Sequence, residues 1–262
     1  MALSLWLASQ PLWFAATLAI GFGVLFSAAG TLIVNTLYTP LEIAQNTSTG
    51  GVKYEFLSQI YAVVLGLLLV GEYERYNELE LGVHKEAKAL EFLVQTAAVF
   101  PDADRALVRE ATAAYVEAVT GLEWPAMARG QASPEADRAL GNLIARVLAV
   151  QPADERGGAA YGHSLSLIET VKELRTERLA RVSGSLTILI WYVLIVSTGV
   201  ALVFTWYFGD AAISNRIFFS SMVATVIMTE FMAIWRLNYP FTGDIAIRPE
   251  PFLKIASLAV PL

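Results

Sequence analysis

Long uncharged apolar runs and stretches of helical polar–apolar alternation succeed one another along this chain. The first run, about Pro11–Leu37 (PLWFAATLAIGFGVLFSAAGTLIVNTL), carries no charge at all. The second, about Phe56–Gly71 (FLSQIYAVVLGLLLVG), is shorter, but no proline stops its helix from continuing past Glu72. A third run covers about Val182–Phe208 and a fourth about Ile217–Trp235. Crossing a bilayer takes roughly 20 helical residues at about 1.5 Å each, so all four are read as transmembrane helices. Trp206, Tyr207, Trp235 and Tyr239 fall near the predicted span ends, where amphipathic rings favour the interface. FSAAG in the first run imitates a signal-peptidase site. The preceding residues hold no Lys or Arg, however, and the run is about twice an h-region, so it is read as a retained span.

Between the second and third spans lie about 110 residues with a different pattern. Tyr76, Val83, Leu90 and Ala97 recur every seven residues, with Leu79 and Leu93 at the offset positions, which predicts a helix with one buried seam continuous with span two. PDADRALVREATAAYVEAVTGLEW places Leu107, Ala111, Ala114, Tyr115, Ala118 and Leu122 on one helical face, started at Pro101–Asp102 and ended at Gly121. SPEADRALGNLIARVLAV opens with Ser133 as N-cap and Pro134 at the first helical position, and buries Leu140, Leu143, Ile144 and Val147. A last helix from about Gly162 runs through Leu167, Val171 and Leu174 into span three. The fold class is all-α integral membrane, with four transmembrane helices and a cytosolic helical bundle inserted between spans two and three. The expected divisions are transmembrane helices one and two in 1–71, the cytosolic helical domain in 72–181, transmembrane helices three and four in 182–237, and a cytosolic C-terminal segment in 238–262.

Composition agrees. The chain is 56% hydrophobic and 16% charged, with a mean hydropathy of +0.53, against about 45–50% and about 25% for an average soluble domain. Its net charge of −6 argues against nucleic acid as a partner. With no cysteine and two distant histidines, His84 and His163, there is no thiol chemistry and no metal-ligand spacing, so neither a metal nor a cofactor is expected. HExxH, P-loop and nucleophile-elbow patterns are absent, LEWPAMARG reads as a helix end broken by Pro125, and no catalytic constellation forms. The placement of charge says more than its total. Lys53 and Arg216 stand on the side holding loops 38–55 and 209–216, whereas Arg75, Lys85, Lys88, Lys172, Arg175, Arg178, Arg181, Arg236, Arg248 and Lys254 stand on the other. Positive residues collect on the cytoplasmic side, so the helical domain and both termini are expected there.

Within the spans, Gly23, Ser27 and Gly30 share a face that permits close helix packing. Span two carries Gln59, Val63, Gly66 and Val70 on one face, a polar mouth followed by a narrow apolar middle, which suits the lining of a pore. Glu55 before it, and Glu72 and Glu74 in the acidic stretch GEYERYNELE after it, would form rings of negative charge around an axis shared by several copies. A solvated helix face is the plainer reading of that stretch. Glu230 in span four is an acid at membrane depth, either paired with a neighbouring helix or on an ion pathway. Arg175, Arg178 and Arg181 form an i, i+3 ladder, read as a topology signal with salt bridges to Glu72, Glu74, Glu78 or Glu80, or else as an anionic headgroup site.

After span four comes NYPFTGDIAIRPEPF, in which Asn238, Pro240, Phe241, Gly243 and Asp244 stand in the order of the Asn/Glu-x-Pro-Phe-Gly-acidic segment that follows the last span of bestrophins. With LEWPAMARG and the basic helix before span three, the chain resembles the bacterial bestrophin-like proteins over nearly all its length. That resemblance implies an oligomeric ion channel, pentameric in bestrophins, with the second span of each protomer lining the axis, in a bacterial plasma (inner) membrane. Asp244 stands alone where calcium-regulated members carry a run of acids, which counts against calcium gating. Pro240 ends the helix, and Phe241, Gly243 and Asp244 would form a gating or coupling turn. The expected function is a homo-oligomeric channel for small ions in contact with membrane lipid, leaning towards cations on account of its carboxylates. The family likeness favours an anion channel instead. A membrane-anchored sensor or scaffold, whose bundle binds a partner, is the rival from another class.

Overall fold

The structure is a computed structural model that describes residues 2–208 and 212–259. Part of the expected loop 209–216, residues 209–211, and the last three positions of the 238–262 segment lie outside the described residues. Among those described there are ten α-helices and no strand: α1 (Ala2–Ser9), α2 (Leu12–Leu37), α3 (Pro40–Thr96), α4 (Asp102–Ala118), α5 (Trp124–Met127), α6 (Pro134–Leu148), α7 (Glu155–Ala180), α8 (Ile188–Trp206), α9 (Ile213–Asn238) and α10 (Glu250–Ala259). Four of these helices are long and apolar enough to cross a membrane: α2, α3 over Gly50–Val99 with its short 3₁₀ extension, α8 and α9. The chain divides into two compact units, Ala2–Glu74 with Ser185–Asn238, and Arg75–Gly184 with the described part of Tyr239–Leu262.

In the first unit α2 packs chiefly on α9, and more lightly on α8. Lipid tails are as apolar as leucine, so helices at membrane depth gain little from burying apolar groups against each other and depend on close contact instead. Gly23, Ser27 and Gly30 are all buried on α2. A Cβ on Gly23 would stand 2.4 Å from Met228 Cγ and one on Gly30 2.2 Å from the Trp206 ring, so the missing side chains are what let α9 and α8 approach. Thr31 and Ser220 share a hydrogen bond of 3.1 Å across the α2–α9 contact. Arg236, buried near the end of α9, donates to the Ala8 and Gln10 carbonyls and so caps the C-terminus of α1.

The other unit is built around the seam of α3. Leu79, Val83, Leu90, Leu93 and Ala97 are buried and Tyr76 is half-buried against them. α6 starts as its sequence specifies, with the Ser133 hydroxyl accepting from Ala136 N at 3.3 Å and Pro134 next, and it buries Leu140, Leu143 and Val147. Asp154 caps α7 in the same way through Gly157 N at 2.6 Å.

Three expectations are corrected. Residues 38–55 do not form a loop, because α3 starts at Pro40 and runs for 57 residues. Thr39 and Glu42 form a capping box: Thr39 N donates to Glu42 Oε2 at 2.8 Å and Glu42 N to Thr39 Oγ1 at 3.4 Å, with Pro40 at the first helical position. Next, α7 does not run into span three. It stops at Ala180, and the chain turns through Gly184 at φ 96° before α8 begins at Ile188. Lastly, the α4 face is rotated from the expected one. Val108, Ala111, Thr112, Tyr115 and Val116 are buried, while Leu107 and Leu122 are exposed. Val119–Glu123 forms a π-helical turn, whose extra residue breaks the 3.6-residue register and carries Leu122 off the buried face.

Candidate functional site

The membrane part of α3 turns two very different faces outward and inward. Tyr61, Leu65 and Glu72 are buried, and the Tyr61 hydroxyl shares a 2.8 Å hydrogen bond with Thr198 of α8. Gln59, Val63, Gly66 and Val70 are all exposed. At about 100° per residue this second set lies nearly opposite the first. A Cβ on Gly66 would meet no atom within 4 Å. Only 11% of the apolar window of α3 is buried, against 28% for α2, 28% for α8 and 22% for α9. Of the four apolar helices, α3 therefore leaves the most surface uncovered by its own chain.

The acids divide. Glu55 and Glu74 are exposed on the α3 surface, whereas Glu72 is 1% exposed and accepts a 2.7 Å hydrogen bond from Ser185 Oγ. Glu72 is thus covered within its own chain, where Glu55 and Glu74 are not. Helical spacing explains why: Glu72 lies seven residues beyond Leu65 and eleven beyond Tyr61, on the buried side. Glu230 is half-buried on α9 and has no hydrogen bond or ion pair among the described residues.

Asn238 ends α9 and holds the start of span three. Its side-chain oxygen accepts from Ser185 N and Leu186 N, both at 2.9 Å, and from Ser185 Oγ at 3.3 Å. Asn238→Ala should therefore cost about 1–3 kcal/mol, since two amide donors lose their acceptor. Thermal unfolding in detergent checks this, and an unchanged midpoint would show that water replaces the amide.

The turn that follows is packed within the second unit. Phe241 is buried edge-on to Trp124 with ring centres 5.9 Å apart, and Gly243 adopts φ 75°, which favours glycine. Trp124 Nε1 donates to the Ile247 carbonyl at 3.0 Å, the Tyr76 hydroxyl to the Ile245 carbonyl at 2.7 Å, and Ile247 N to the Pro240 carbonyl at 2.8 Å. Asp244 is exposed.

Beneath Trp124 lies a polar cluster that the sequence reading missed. Arg178, 1% exposed, donates from Nε and Nη2 to the two carboxylate oxygens of Glu86 at 2.8 and 2.9 Å. Its Nη2 also lies 3.1 Å from Glu123 Oε2, and its guanidinium stacks over the Trp124 ring at 5.0 Å. Arg175 grips Glu123 through Nη2 at 2.7 Å and Nε at 3.2 Å, and reaches Asp137 at 2.9 Å. The buried Tyr115 hydroxyl donates to Glu86 at 2.8 Å. Burial alone would lower the Arg178 pKa, but the charge and hydrogen bonds of Glu86 more than offset it and leave it raised. Burial pushes the Tyr115 phenol well above its usual range, with the Glu86 charge adding to the effect. The arginine ladder thus pairs with Glu86, Glu123 and Asp137, not with the acids at 72–80. LEWPAMARG is no mere helix end, because its Glu123, the last residue of the π turn, is buried and paired with both arginines. The available signal was an acid next to a tryptophan and proline, together with arginines spaced i, i+3.

No curated protein sequence matches this chain. Among solved structures it is similar to two crystal structures of a bacterial bestrophin homologue from Klebsiella pneumoniae. One, carrying a point substitution, is 12% identical with a TM-score of 0.67, over 92% of this chain and 98% of that one. The other, phased on zinc, is 13% identical with a TM-score of 0.67, over 92% and 96%. These likenesses show the fold. The Bestrophin-like domain matches residues 21–252 in sequence. This integral membrane protein belongs to the bestrophin-like family, a family of ion channels rather than enzymes.

Proposed function

We propose that several copies of the chain assemble into an ion channel whose axis is lined by α3, with Gln59 at its polar mouth and Val63, Gly66 and Val70 along the narrow part. The observation that carries this reading is the bare α3: it leaves more of itself uncovered than the other three apolar helices, and the residues named lie opposite its buried side. A homo-oligomer would cover that surface, and a pentamer is the number the family resemblance suggests. Glu55 and Glu74 are the exposed acids at either end of this face and favour cations, so the reading leans to cation conduction. An anion channel is the second reading, favoured by the family likeness.

The helices of Arg75–Gly184 form a bundle that we place in the cytosol with both termini, on the distribution of Lys and Arg, in a bacterial inner membrane contacted by its lipids. The turn at Pro240, Phe241, Gly243 and Asp244 follows α9 directly in the chain, and we assign it a coupling role. Glu230, half-buried without a hydrogen-bond partner among the described residues, is the candidate for an ion contact at membrane depth.

The test is reversal potential in planar bilayers under a salt gradient. Wild-type current should reverse near the cation Nernst potential. Glu55→Gln with Glu74→Gln should move it towards zero, because two rings of charge are lost. Reversal at the anion potential would remove the cation reading, and a double variant indistinguishable from wild type would remove Glu55 and Glu74 as the source of selectivity. A silent bilayer with inserted, folded protein would favour a sensor or scaffold.

A further inference from the structure

Within the unit formed by Ala2–Glu74 and Ser185–Asn238, α1, α2, α8 and α9 enclose a crevice of about 430 Å³. Its floor is closed by Ala15, Thr198 and Leu202, all buried. Its rim carries Leu18, Phe22 and Ile195, which are 47, 65 and 58% exposed, so one side is open. Thr198 supplies the only hydroxyl of the lining, and that hydroxyl is already hydrogen-bonded to Tyr61.

We propose that this crevice binds one acyl chain of a membrane phospholipid. Its chemistry disfavours polar ligands, which would lose many hydrogen bonds to water and meet only the Thr198 hydroxyl and the Trp235 indole N–H among the lining side chains. Its size exceeds that of an engineered apolar cavity of about 150 Å³, which already takes up benzene, by about threefold. Its shape selects a chain over a compact ring. Along α2 the lining runs from Ala15 to Phe26, roughly 16 Å of helix, while along α9 it runs from Met228 to Trp235, roughly 10 Å. The slot therefore follows the axes of helices apolar enough to span a bilayer, the direction in which acyl chains lie. Two of its residues, Met228 and Met232, are thioethers that adapt to a flexible guest. Gly199 completes the lining, and a Cβ there would meet no atom within 4 Å, which leaves room for the guest.

The probe is phosphatidylcholine with a diazirine at mid-chain, incorporated into nanodiscs holding the full-length protein. Photolysis and peptide mapping should label Ala19, Met228 and Met232 about fivefold above Val196 and Val226, exposed apolar positions in the middle of α8 and α9 outside the crevice, an excess that depth in the bilayer does not explain. Gly199→Leu should fill the slot and bring crevice labelling down to the Val226 level. As a measurement that needs no variant, native mass spectrometry of wild-type protein released from micelles should retain one phospholipid per chain. Equal labelling inside and outside the crevice would mean boundary lipid alone and would overturn the proposal. So would photo-methionine at Met228 or Met232 cross-linking to a second copy of the chain, since a neighbouring protomer would then be the occupant.

Discussion

Arg178→Ala is expected to unfold the bundle or come close to it, at a cost of about 3–5 kcal/mol, because it strands the buried carboxylate of Glu86 and takes from Glu123 one of its two cations. Glu86 and Glu123 are both 0% exposed, and Arg178 is the cation that touches each of them. Charges are tolerated at such depth only while paired, and Arg175, although it also holds Glu123, makes no bond to Glu86. Tyr115 would be left as the neutral donor to Glu86, too little to replace a bidentate guanidinium. Arg178→Lys should fall between wild type and alanine, since it keeps the charge but loses the fork and the stacking on Trp124. Arg178→Met combined with Glu86→Gln should recover part of the loss, because the pair is removed together. The measurement is the thermal midpoint of purified protein in nanodiscs, with a fall of roughly 10 °C or more expected for alanine. A shift of a degree or two would mean that water reaches the cluster.

Gly30→Leu is the second large effect, and it acts in the other unit. A first side-chain carbon there already lands 2.2–2.4 Å from three atoms of the Trp206 ring, a rigid group that cannot fold away. Gly30→Ala should cost about 1–3 kcal/mol by overpacking alone, and leucine more, as α2 and α8 are forced apart. Gly23→Ala should cost less than Gly30→Ala, although its Cβ would meet Met228 Cγ at 2.4 Å, because an unbranched thioether has other rotamers. Monodispersity on size exclusion and the thermal midpoint together read out this order. Equal effects at both positions would show that backbone movement, not side-chain adaptability, decides the cost.

Much of this molecule was legible in one dimension. Length and uncharged composition suffice for the four spans, and seven-residue spacing suffices for the seam through Val83 and Leu90, since both depend on a single helix meeting a single environment. Local chemistry is equally readable at the start of α6, where Ser133 and Pro134 act as their types require. At Thr39–Glu42 a capping box converts an expected loop into the first turns of α3.

The errors share a different origin. Periodicity places Gln59, Val63, Gly66 and Val70 on one face of α3, but it does not say what that face meets. Nor could it choose partners for the arginine ladder. The acids at 72–80 are abundant on α3 and looked like suitable partners, yet Glu86, Glu123 and Asp137 take the contacts, on α3, at the π turn and on α6. The π turn carries Leu122 outward while Glu123 stays on the buried face with Val116 and Val119, a change of register by one residue that nothing in the local sequence announces. Sequence by itself determined which segments are helical, which are apolar enough to span a bilayer, and to which family the chain belongs, because these follow from properties carried within each segment. Tertiary structure alone decided that Glu72 lies inside and Glu74 outside, that Arg178 holds Glu86, and that an open apolar slot remains among α1, α2, α8 and α9, because each depends on which face of one helix is turned towards another.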